Sequence, residues 1–214
     1  MNKTKTTLFN KLQLPIATLL FILLSLSSVA FNSHAESETK AQSNAEAIEP
    51  LKGTFLQSKN IKPLKRPFKS SGHFVYFPTK GLLWQTEKPV KSVKLFANEG
   101  VYKVDQHGTL QKEAQLDNAF FLALFAGDEQ KLAQFFITQP ITNDDATLTC
   151  LALTPKSDTM KSLFAQIQLC TKAMNNNVKL PVTIALLEEK GNRTDINFQL
   201  SDTPLTAQEL AYFD

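Results

Sequence analysis

Short apolar runs alternate with turn residues along the first half of the chain. The clearest is residues 72–89, G-H-F-V-Y-F-P-T-K-G-L-L-W-Q-T-E-K-P, which reads as two strands joined by a Pro-Thr-Lys-Gly turn. Both faces are more apolar than a sheet wetted on one side requires, so the hairpin is expected to make a core and line a cavity. Upstream, residues 45–59 are expected to begin as a short helix and pass through Gly53 into a strand, T-F-L-Q-S-K. A basic loop over 60–67 follows, where Pro63 and Pro67 cannot donate to a ladder. Downstream come V-K-S-V-K-L-F-A, a turn at Asn98-Glu99-Gly100, V-Y-K-V-D, a turn at Gln106-His107-Gly108, and T-L-Q-K-E-A-Q-L. This spacing predicts a meander of short antiparallel strands.

The period then changes. Asp117 is expected to cap a helix through N-A-F-F-L-A-L-F-A that Gly127 terminates. Asp128 is placed to cap a second, with Leu132, Phe135 and Phe136 on one face. Strands return at 146–153, 162–172, 182–188 and 195–200, with Gly191-Asn192 as the last hairpin turn and one helical turn in the tail. The first helix is apolar nearly all round, whereas a surface helix shows a single stripe. It is either a buried helix plugging a barrel end or a lid over an apolar cavity.

The first 35 residues read as a cleavable secretory signal: Lys3, Lys5 and Lys11, an apolar run over 14–26, then Ser33-His34-Ala35 before a cut. Residues 36–46 are a polar lead-in and 47–214 one domain. Of 23 basic side chains three lie in the signal, which has no acids, so the remaining 20 balance the 20 Asp and Glu. A nucleic-acid role loses its support. Ten basic residues from Lys52 to Lys94 nevertheless face only Glu87. That asymmetry fits docking to an anionic membrane or partner, or a solvated sheet face.

Cys150 and Cys170 lie in two strand-like runs; if these pair as a hairpin centred near Met160, the cysteines fall opposite each other. After export that register favours a structural disulfide, contributing about 3 kcal/mol less any strain. His73 and His107 have no metal-ligand spacing, and Asp105 with His107 reads as turn chemistry. A nucleophile elbow and phosphate-binding glycine loops are absent. The paired acids Asp144-Asp145 and Glu188-Glu189 sit at turns. No catalytic residues, metal or cofactor are expected: the chain reads as a non-enzyme.

F-x-Q-x-K (Phe55, Gln57, Lys59), a strand from Gly72, Trp84 twelve residues later and Pro89 five after that form an ordered series. L-T-P-K (Leu153 to Lys156) and G-x-x-T-x-I-x-F (Gly191 to Phe198) complete it. Over roughly residues 47–200 this order resembles the LolA family of periplasmic outer-membrane lipoprotein carriers, as a divergent member. The resemblance implies a mainly β (α+β) fold, an incomplete antiparallel β-barrel with short helices as a lid over an apolar cavity. Its implied function is to shield lipoprotein acyl chains in transit, from an inner-membrane transporter as donor to an outer-membrane receptor as acceptor, as a monomer. Alternatives are a carrier of another acylated lipid or glycolipid, and a non-catalytic interaction module of an envelope complex. With strand alternation, the resemblance puts Phe74, Tyr76, Leu82 and Trp84 toward the lipid-binding cavity and Phe120, Phe121, Leu124 and Phe125 in the lid, against the alternative of an ordinary barrel core. One departure stands out. Phe77-Pro78-Thr79 occupies the place of the family's lid-holding Arg-Pro, which implies closure by apolar contact.

Overall fold

The computed structural model describes residues 49–113, 118–174 and 179–214. Strands β1 (Leu51–Asn60), β2 (Phe68–Phe77), β3 (Gly81–Lys88), β4 (Ser92–Ala97), β5 (Gly100–Val104) and β6 (Leu110–Lys112) run as a meander. Helices α1 (Ala119–Ala126) and α2 (Glu129–Phe135) follow, then β7 (Phe136–Pro140) and β8 (Leu148–Pro155). The chain finishes with α3 (Asp158–Lys161), β9 (Gln166–Ala173), β10 (Lys179–Leu187), β11 (Arg193–Leu200) and α4 (Ala207–Ala211). All strands join one antiparallel sheet in the order β6-β5-β4-β3-β2-β1-β11-β10-β9-β8-β7. The first strand pairs with the last, so the sheet's free edges are β6 and β7, the two strands that flank α1 and α2 in the chain. This is the expected incomplete antiparallel barrel with short helices.

Period-2 alternation sorts side chains to two faces. Inside lie Phe74 and Tyr76 of β2, Leu82 and Trp84 of β3, Phe96 of β4, Leu169 of β9, Ile184 of β10 and Phe198 of β11, all packed in the clusters around α1. Outside, Val75, Leu83 and Leu95 stack in register across three strands. Leu205, Tyr212 and Phe213 of the C-terminal segment cover them, with the Phe77 and Phe213 rings 4.6 Å apart. The two-sided apolar hairpin therefore has a second physical cause besides the barrel interior: its outer face buries the tail.

An ion pair fixes that tail. Lys52 Nζ lies 2.9 Å from the buried Glu209 carboxylate, which also accepts the Thr206 backbone N–H while Thr206 Oγ1 accepts that of Glu209. Burial alone would raise the Glu209 pKa, but hydrogen bonds from Thr206 and Lys52 outweigh it and hold the value below the ordinary carboxylate range. A depressed folded value stabilises above the unfolded pKa and is lost as pH falls through the folded one. Acidification through that lowered value is expected to free residues 205–213, read as loss of their amide hydrogen-exchange protection. In Glu209→Gln the protection should be weak at neutral pH and no longer follow pH; an identical profile in the variant refutes the role.

Several elements differ from the sequence reading. β1 starts before Gly53 rather than after it, because Gly53 pairs with Phe74 and Leu200 inside the ladder. β2 begins at Phe68, four residues before Gly72. The helix expected to include Phe136 stops at Phe135; Phe136 opens β7, which edges the sheet against β8. Its aromatic spacing suits either period. α1 starts after Asn118, whose side chain ties to the β4–β5 turn by donating to the carbonyls of Ala97 and Gly100. Gly127 ends it in the left-handed region, φ 57°. Asp128 caps α2 as expected, accepting the Lys131 N–H at 3.0 Å. The expected signal and lead-in, residues 1–46, and Asp117 lie outside the described residues.

Cys150 and Cys170 face each other in the β8–β9 ladder and are disulfide-bonded, as their register implied.

Candidate functional site

α1 lies within the concavity of the sheet. Phe120, Ala123, Leu124 and Phe125 are buried, and Phe121, Leu122 and Ala126 are partly so. Helix contacts with the interior explain why it shows no polar stripe. Phe125 sits at the centre of an aromatic layer, with ring centroids 5.2 Å from Phe198, 5.4 Å from Phe74, 5.9 Å from Tyr76 and 6.2 Å from Trp84.

Two glycines make room for this layer. Gly53 faces Phe74, and a Cβ there would come within 2.7 Å of the Phe74 ring. Gly72 lies between Phe55 and Thr86 on neighbouring strands. With no side chain on β2 at that point, Phe55 and Trp84 reach across it and stack, centroids 3.8 Å apart. Trp84 is thereby held flat against the wall.

Beside the layer is a hollow of about 270 Å³. Leu82, Trp84 and Phe96 wall one side, Ile184, Leu186, Ile196 and Phe198 the other, and Phe121, Leu124 and Phe125 of α1 the third. Polar groups, Gln57, Thr86, Ser92 and Lys94, occur on the strand halves leading to the 61–67 and 89–91 loops. Lys94 Nζ is 2.7 Å from Glu113 Oε2, so the rim carries a neutralised pair. A second apolar hollow of about 370 Å³ involves Phe74, Met174, Leu180 and Leu200 toward the opposite end of the barrel, and Phe198 borders both. Burial raises the Tyr76 phenol pKa, and the Asp128 carboxylate adds to the rise; the ring is a packed, neutral member of the aromatic layer. Among the described residues no group of three or more His, Cys, Asp or Glu is placed to hold a metal ion.

Of the eight residues expected at the cavity, Leu82, Trp84, Phe121, Leu124 and Phe125 line the first hollow. Phe74 and Tyr76 lie under Phe125 in the aromatic layer, and Phe74 borders the second hollow. Phe120 packs the other way, against Phe136 and Phe164 in the core under β7–β9. Phe96, Ile184, Ile196 and Phe198 complete the wall without having been singled out. Their alternation is visible in the sequence, but which phase faces inward depends on packing against α1 and, for Ile196 and Phe198, on pairing with the distant β1. Phe77 packs outward on Phe213, so its ring takes no part in holding α1, whereas the adjacent Tyr76 ring contacts Phe125.

No protein-family model matches the chain, and no curated protein matches it in sequence. Solved structures are similar to it. The MucA/MucB complex of Pseudomonas aeruginosa matches at 16% identity and TM-score 0.43 over 75% of this chain, which spans 54% of that chain's length. A LolA superfamily protein from Nitrosomonas europaea matches at 8% identity and TM-score 0.39, covering 73% of this chain and 88% of the other. An outer membrane lipoprotein-sorting protein domain from Vibrio parahaemolyticus matches at 8% identity and TM-score 0.34, covering 76% and 90%.

Proposed function

We propose that this chain is a periplasmic carrier that shields the acyl chains of lipoproteins between an inner-membrane donor and an outer-membrane acceptor. The observation that supports this reading is the hollow beside α1, whose wall is aromatic and aliphatic and whose polar groups are confined to one end. Each CH₂ transferred from water into such a site gains about 0.8 kcal/mol, which is why an acyl chain in transit needs a cover. Pockets for small ligands run from about 300 to 1,000 Å³, so a hollow of about 270 Å³ takes only part of a long chain. A second apolar hollow of about 370 Å³ lies beyond Phe198, which borders both, and gives room for more of the chain. Aromatic packing and the Asn118 anchor hold α1 without an arginine lock, and packing of that kind can loosen for cargo and re-form after release.

Mass spectrometry of an organic extract from protein purified out of the periplasm is expected to show acylated species at near-stoichiometric load. Leu82→Asp and Phe121→Asp put a charge against the acyl path and should remove most of that load. A folded wild-type protein without any acylated species, or a load unmoved by both substitutions, overturns the carrier reading.

A further inference from the structure

The β1–β2 and β3–β4 connections lie at the same end of the barrel, because Lys59 pairs with Phe68 and Thr86 with Ser92. The polar end of the hollow belongs to these strand ends, through Gln57, Thr86 and Ser92. The two connections and their borders carry Lys62, Lys65, Arg66, Lys69, Lys88 and Lys91, all exposed. None of the six is in an ion pair among the described residues. Glu87, the acid of this stretch, is 3.0 Å from His73. Between the cations stand Leu64, Phe68 and Val90, at 62%, 52% and 72% exposure.

Acids at the same end lie on other connections and are held elsewhere. Glu188 pairs with Lys59, Asp158 with Lys161, and Asp105 accepts from its own turn. Glu189 is the exception: it is exposed beside the exposed Lys190 in the β10–β11 turn, away from the 61–67 and 89–91 connections in the chain. The unpaired positive charge is therefore concentrated on the β1–β4 side, together with the exposed apolar tips. Singly exposed apolar side chains are ordinary on a protein surface; here three of them stand among six unpaired cations at one end of the barrel. At a bilayer the same pattern is favourable: apolar tips enter the boundary of headgroups and acyl chains, and lysines stay among anionic headgroups.

We propose that loops 61–69 and 88–91 dock this end of the barrel on an anionic phospholipid surface. The docking stands on the loops alone; its use, to let an acyl chain enter or leave through the mouth without crossing water, rests on the carrier reading. An anionic protein partner is the competing occupant, but it would need a separate apolar pocket for each of Leu64, Phe68 and Val90, which a bilayer boundary supplies without specific fit.

Sedimentation of the purified protein with vesicles tests this. Vesicles of phosphatidylcholine with about a third phosphatidylglycerol should bind it, pure phosphatidylcholine should not, and added salt should weaken the binding. Lys65→Glu with Arg66→Glu and Lys91→Glu is expected to lower vesicle affinity at least about tenfold. Leu64→Ser with Val90→Ser should weaken it while leaving the salt dependence in place. All five side chains are exposed, so Trp84 emission and the unfolding midpoint should stay at wild-type values. Equal binding to neutral vesicles, no binding to anionic ones, or loop variants that bind normally overturns the proposal. The acylated load of the loop variants separates the two readings: it should be unchanged in them, whereas Leu82→Asp should lose load and keep vesicle binding.

Discussion

Phe125→Ala is expected to destabilise the protein by about 3–5 kcal/mol, the range for deleting a buried aromatic side chain. The ring is 4% exposed and has four aromatic neighbours, Phe74, Tyr76, Trp84 and Phe198, at 5.2–6.2 Å. Such pairs contribute about 0.5–1.5 kcal/mol each beyond area burial. Trp84, stacked on Phe55, and Phe74, seated over Gly53, are held in place and cannot fill the space. The void would open into the adjoining hollow and detach α1 from the β2–β3 wall. For a chain of this size 1 kcal/mol moves the midpoint by about 2–4 °C, so thermal unfolding should begin roughly 10 °C lower. Trp84 emission should shift red as water reaches its ring. A midpoint within a degree or two of wild type would show that α1 is held by its ends, through Asn118 and Gly127, and not by the aromatic layer.

Loss of the Cys150–Cys170 bond is expected to cost about 3 kcal/mol, from the chain entropy of a loop closed over a separation of 20 residues. The two residues pair directly across β8 and β9, and their neighbours Leu151 and Leu169 point to the opposite, inner face. The bond therefore staples the outer side of the strands that carry the core under Phe120 and Phe136. Cys150→Ala with Cys170→Ala should lower the urea midpoint and speed unfolding, while leaving the folded spectrum and any acylated load intact. Reductant should reproduce the shift in wild type and do nothing to the double variant. A lost acyl load at normal stability would place the bond in the cargo path, contrary to the side it faces.

Much of the architecture is legible in the chain itself. Turn residues at Pro78–Gly81, Asn98–Gly100 and Gly191-Asn192 locate hairpins because each requires backbone that strands do not supply. Gly127 and Asp128 mark the join of α1 and α2 by local hydrogen bonding alone. Cross-strand opposition of the cysteines followed from counting two equal arms of a hairpin. Phe136 was misread as helical because a lone aromatic beside Phe135 satisfies either period, and its pairing with Pro155 is a non-local contact.

The candidate site divides along the same line. Local sequence determined that the 72–89 hairpin and α1 are apolar on more faces than a surface element bears. It could not determine what each face meets, since alternation assigns residues to two sides without saying which side is inward. That was decided by the pairing of β1 with β11, which brings Phe198 to Phe74 and Trp84. It was decided also by the tail, whose Tyr212 and Phe213 cover Val75 and Leu83 from outside. Hydrogen-bonded turns and caps involve neighbours a few residues apart, so their signals sit in a short window. A hollow is bounded by side chains from β1, β3, β4, α1, β10 and β11, and only the assembled sheet with α1 against it puts them around one space.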